Sequence, residues 1–76
     1  MKEVTQITQL KTDFLYSQRG TIVVIQNVKL QKITFCLLDA KTANQFGRGP
    51  HTLSWVDDGD KMYEMGHKSL FPEYFL

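Results

Sequence analysis

The chain alternates between short apolar runs and polar, glycine-marked breaks, and the spacing within each run predicts its element. Val4, Ile7, Leu10 and Phe14 recur every three or four positions, with Leu15 beside them. That spacing predicts a helix over residues 2–16, although Thr5, Thr8 and Thr12 are stiff at the β-carbon and oppose it. The helix would end near residues 17–20, where Arg19 suits the negative end of the dipole and Gly20 a terminal cap.

Ile22, Val23, Val24 and Ile25 form an unbroken β-branched run. It predicts a strand over residues 21–26, buried on both faces. Residues 27–39 read as a second strand. Val28 and Leu30 share one parity, whereas Ile33, Phe35 and Leu37 share the other. The phase therefore flips at Gln31–Lys32, which predicts a bulge or sharp bend that curls the sheet. Residues 40–50 read as a long polar connection, with a short strand near Gln45 and Phe46.

Residues 51–56 and 61–65 read as a hairpin about Asp57-Asp58-Gly59-Asp60, because an Asp-Gly pair between β-rich runs favours a tight turn. Leu53 and Trp55 share one face, and Trp55 reads as core. The tail holds Leu70, Phe71, Tyr74, Phe75 and Leu76. So many large apolar groups imply docking on the body or on a partner, and Pro72 excludes a helix interior. Together these runs predict an α+β fold in one domain, residues 1–76. It is a small curled β-sheet or SH3/Sm-like barrel of four or five strands behind an N-terminal helix.

Length changes this picture in one respect. A chain of 76 residues buries only a marginal core. Cys36 is the sole cysteine, so no intrachain disulfide stabilises that core. Within its apolar run it reads as a buried small hydrophobe. Self-association or a partner is one way to complete such a core. The opening residues are too polar for a signal peptide, and the apolar runs at 22–25 and 35–38 are far short of a membrane span. The expectation is a cytoplasmic protein without membrane contact.

Nine basic and eight acidic residues leave a net charge of +1. Residues 1–50 hold seven basic and three acidic groups, and residues 51–76 hold two and five. This dipolar chain is too neutral to track phosphates along its whole surface, but its positive half suits an acidic protein or nucleic acid.

Candidate chemistry is sparse. The acidic turn lacks the alternate spacing and distant glutamate of a calcium loop. His51 and His67 lack zinc-ligand spacing. Ser17, Ser54, Ser69 and Cys36 stand in no nucleophile motif. The expectations are no catalytic residues, no metal, no cofactor and no enzyme activity. Gly47-Arg48-Gly49 is not a phosphate-loop fingerprint, but its glycines admit a ligand to the backbone and Arg48 offers a planar fork.

One limited likeness follows from particular residues. The strand at 21–25 with Gln26-Asn27-Val28-Lys29-Leu30-Gln31, and His67-Lys68 before Leu70-Phe71-Pro72, resemble parts of the bacterial Hfq and Sm-like RNA-binding fold. Lys32 stands where that family places a glycine. The resemblance implies an RNA-binding ring, and it covers a minority of the chain.

Two functional expectations result. The first is a non-catalytic protein-binding module, an inhibitor or adaptor that occludes or tethers a partner through Phe46, Arg48, Phe71, Tyr74 and Phe75. The alternative is a small nucleic-acid-binding barrel using Lys29, Lys32, Lys41 and Arg48, with Phe46, Trp55 and Tyr63 for stacking. An oligomeric barrel with a small-ligand pocket at its interfaces is a third reading.

Overall fold

The segment expected to be a helix is instead an arc of strand, turn and strand. The computed structural model describes residues 2–76. Strand β1 (Lys2–Val4) leads through a 3-10 turn (Ile7–Gln9) into β2 (Phe14–Gln18). Val4, Ile7 and Leu10 are all buried. Their spacing is therefore real, but it comes from a chain crossing one core, not from a helix face. The Gln9 side chain accepts from the Thr5 and Gln6 amides and closes the turn. The expected helix cap at Arg19 and Gly20 is a two-residue hairpin turn. Both have positive φ, 52° and 84°, which suits the right-handed twist of the flanking strands.

Beyond that turn, β3 (Thr21–Lys29) runs through the middle of the sheet. Val23 and Ile25 join one core, while Val24 joins a second cluster on the opposite face. The double burial expected of this run is what the structure has. The phase flip at Gln31–Lys32 has a different cause from the one expected. Lys29 pairs with Lys32 and Val28 with Ile33, so Leu30 and Gln31 form a hairpin turn into β4 (Lys32–Leu37). A two-residue turn places partners an odd number of positions apart, so the parity must switch. Leu30 adopts φ 57° at the exposed tip. The bulge lies earlier, where Gln26 is the extra residue between the Ile25–Phe35 and Asn27–Thr34 pairs.

The polar connection holds helix α1 (Ala40–Phe46) where a short strand was expected. Asp39 caps it, accepting from the Thr42 amide and hydroxyl, and also from the Ile22 amide of β3. Burial pushes the Asp39 carboxyl up, but the Thr42 hydroxyl and the Ile22, Thr42 and Asp39 amides outweigh it and hold it below the usual 3.8. A depressed carboxylate stabilises the fold above its unfolded pKa and loses that contribution as pH falls through the folded value. Asp39→Asn keeps a capping side chain but loses the charge on its acceptor, and should therefore be about 1 kcal/mol less stable than wild type at pH 7. The gap should narrow as the pH drops below 3.8, read by urea unfolding at stepped pH. A gap of constant size would show that the charge plays no part.

Strands β5 (His51–Ser54) and β6 (Met62–His67) do not form the expected hairpin. β5 pairs with β4, and β6 pairs with β1 and β2, so the sheet order is β1-β6-β2-β3-β4-β5, antiparallel throughout. The sequence signal was sound for the turn and misleading for the pairing. Asp57 accepts from the Ile7 amide at 2.9 Å, Asp58 accepts from the Gln6 side chain at 2.7 Å and Asp60 accepts from the Val56 amide. The turn is thus a clasp on the N-terminal arc, and it sends β6 across the sheet.

Among the described residues the result is α+β, with six strands and one short α-helix. The expected four- or five-stranded closed barrel is corrected: edge strands β1 and β5 do not pair with each other. The curled sheet encloses a main core that includes Tyr16, Ile25, Ile33, Trp55 and Met62. Tyr16 is fully buried, and its hydroxyl accepts from the Lys11 amide. Burial pushes that phenol above its usual 10.0. On the convex face Leu15, Val24 and Leu38 form the second cluster, capped by Phe71 and Tyr74. Cys36 is half-buried at this cluster rather than enclosed in the core. No helix among the described residues is long and apolar enough to cross a membrane.

Candidate functional site: an apolar cleft at the open end of the sheet

The two ends of the curled sheet differ. Ile7, Leu10 and Trp55 are buried in the main core at one end. At the other end the inward side chains of Val23, Phe35, Leu37, Leu53 and Met62 leave a cleft of about 390 Å³. Gln18 at the end of β2 and Thr21 at the start of β3, with Thr42, Phe46 and His51, complete its walls. This volume lies within the range of ligand and side-chain pockets.

Local chemistry builds the lip. Phe46 ends α1 and is 63% exposed. Gly47, with φ 83°, stops the helix and donates to the Ala43 carbonyl. The chain then turns back so closely that a β-carbon on Gly49 would lie 2.7 Å from the His51 nitrogen. This approach lets the Arg48 carbonyl accept from the Leu37 amide at 2.8 Å and brings β5 against β4. His51 is fixed on the rim by its Nε2, 2.8 Å from the Gly47 carbonyl, and by its ring against Phe35.

The expected contact residues divide between two faces. Phe46 lines the cleft, and exposed Arg48 follows two positions later. Phe71 and Tyr74 pack half-buried against the second cluster, on the face opposite the cleft. Phe75 is exposed beside Leu76, away from that packing. The expected basic set also divides. Lys29 and Lys32 pair at the β3–β4 turn. Lys41 and Arg48 lie beyond the other end of β4, about 17 Å along a strand of this length. Trp55 is buried and unavailable for stacking, while Tyr63 bonds to Glu3 on the far side of the sheet.

His51 and His67 sit on strands separated by β2, β3 and β4, and His67 is engaged by Ser69 and Phe14. Among the described residues, no group of three or more histidine, cysteine, aspartate or glutamate side chains could hold a metal ion.

Sequence reasoning singled out Phe46, which lines the cleft, but missed the cleft itself. Its walls come from β2, β3, β4, β5, β6 and α1, which no local pattern links. No protein-family model, curated protein or solved structure matches this chain.

Proposed function

We propose that this chain is a non-catalytic protein-binding module whose cleft receives an apolar side chain of a partner protein. The observation supporting this reading is the cleft itself: a concave, largely apolar surface left open at one end of the sheet, with exposed Phe46 at its lip. A buried apolar anchor is the usual energetic centre of such contacts. Arg48 outside the lip supplies a planar donor for a carboxylate on the partner. Binding there tethers or occludes the partner, which is how an adaptor or inhibitor works without catalysis.

Quantitative affinity capture with wild type, Phe46→Ala, Leu53→Asp and Phe75→Ala baits tests this reading. A partner captured by wild type should fall by about tenfold or more with both cleft variants and persist with Phe75→Ala. Equal capture by all four baits overturns the reading. A small apolar molecule extracted from the purified protein, and absent from the Leu53→Asp variant, would reassign the cleft to a small ligand.

A further inference from the structure

The polar groups at the rim of the cleft share one property: their donors are engaged and their acceptors are open. His51 Nε2 lies 2.8 Å from the Gly47 carbonyl. A carbonyl only accepts, so Nε2 carries the proton and Nδ1 of the neutral ring is an acceptor. The ring edge formed by Nε2 and Cδ2 faces the backbone of residues 47–49, since a β-carbon on Gly49 would lie 2.8 Å from Cδ2. Nδ1 is on the opposite edge, and the Phe35 ring lies against the imidazole. Among the described residues, no donor reaches Nδ1.

Gln18 and Thr42 repeat the pattern. Gln18 Nε2 donates to the Lys61 carbonyl at 2.8 Å, which leaves Oε1 as its open acceptor. The Thr42 hydroxyl donates its one proton to the Asp39 carboxylate at 2.6 Å, so toward any other group its oxygen only accepts. Of the polar side chains lining the cleft, Thr21 alone has a hydroxyl left to turn either way.

An occupant that covers these acceptors without donating to them strips them of water at a net cost. A purely apolar side chain therefore fits less well than an apolar body that carries a donor. Lysine and arginine carry donors, but either would set a charge against Val23, Leu37, Leu53 and Met62 with no carboxylate lining the cleft. Tyrosine both donates and accepts, whereas the indole of tryptophan is a donor only, on a large apolar body. The cleft of about 390 Å³ has room for it.

We propose that the cleft receives a tryptophan side chain of a partner protein, with the indole N–H donating to His51 Nδ1. This rests on the cleft reading above and adds the identity of the anchor. A second copy of this chain does not supply it. Its one tryptophan, Trp55, is 2% exposed, and its exposed aromatics, Phe46 and Phe75, have no donor. Tyr16 is fully buried, Tyr63 donates to Glu3, and Tyr74 packs against the second cluster.

Two probes test this by heteronuclear NMR of the intact, isotope-labelled protein. N-acetyl-tryptophanamide mimics a residue within a chain. Its benzothienylalanine analogue replaces the indole N–H by sulfur at nearly unchanged shape. Both should move the amide signals of Val23, Leu37 and Leu53, and the tryptophan probe should bind about fivefold more tightly. His51→Phe keeps a ring against Phe35 but has no acceptor, and it should remove that preference.

If His51→Phe does not fold, the two probes against wild type carry the comparison. Equal affinity of the two for wild type overturns the proposal and leaves the cleft reading standing. A preference for tryptophan that survives in folded His51→Phe overturns the role of His51. No movement of these signals with either probe at millimolar concentration overturns the cleft reading and the proposal together. Free tryptophan binding more tightly than the acetylated amide would make the ligand a small molecule, and it too overturns the proposal.

Discussion

Trp55→Ala should lower the free energy of unfolding by about 3–5 kcal/mol. A domain of this length has about 4–11 kcal/mol in total, so the variant should lose a large part of its stability and unfold at a clearly lower urea concentration than wild type. Trp55 is 2% exposed and packs in the main core with Val4, Ile7 and Leu10. Its indole Nε1 also donates to the Thr5 carbonyl at 3.4 Å. It thus joins the end of β5 to the N-terminal arc beside β1, two parts of the sheet edge that share no ladder. Truncation leaves a cavity and releases the acidic clasp as well. Trp55→Phe retains most of the apolar volume and should cost about 1–2 kcal/mol. Urea unfolding followed by circular dichroism distinguishes these values. A loss below about 1 kcal/mol for Trp55→Ala would mean that the two edges are held together elsewhere.

Deleting residues 71–76 should cost about 3 kcal/mol and expose apolar surface. Phe71 and Tyr74 half-bury themselves over Leu15, Val24 and Leu38, and a fully buried large apolar side chain contributes about 1.5–3 kcal/mol. Gly66 lies close under the tail: its φ of 141° is a conformation that other residues rarely adopt, and a β-carbon there would lie 3.1 Å from the Leu70 side chain. By contrast, Phe75→Ala should change stability by less than about 0.5 kcal/mol, because Phe75 is exposed. The truncated protein should bind a dye for apolar surfaces, whereas Phe75→Ala should not. If the truncation were as stable as the full chain, the tail would be free to act as the partner contact expected from sequence.

The clearest successes of sequence reading share one property. Ile22–Ile25 and Trp55 are determined by their own chemistry, since a β-branched run or a large aromatic has few low-energy locations. The parity switch at Gln31–Lys32 was also legible, but its expected cause, a bend within one long strand, was not the real one: a hairpin turn at Leu30 and Gln31 separates β3 from β4. The errors share another property. Val4, Ile7, Leu10 and Phe14 all face the main core, but a strand, a turn and a second strand can present that spacing as well as a helix. α1 is too short and polar to show a periodic face, and it depends on Asp39 reaching back to Ile22.

By itself the sequence determined which residues are apolar enough to be buried, where the chain must turn, and that the two charge-biased parts can attract one another. These are properties of single residues and near neighbours. Only the tertiary structure decided that β5 and β6 separate after a good turn, that Phe71 and Tyr74 pack on the protein itself, and that one end of the sheet stays open. Those outcomes depend on pairings between residues some 50 positions apart, such as Ile7 with Asp57 and Thr5 with Trp55. No local energy separates them from their alternatives, because closing such long loops is repaid only when the whole core assembles. The candidate site belongs to this second class, since five strands and α1 contribute its walls and none forms it alone.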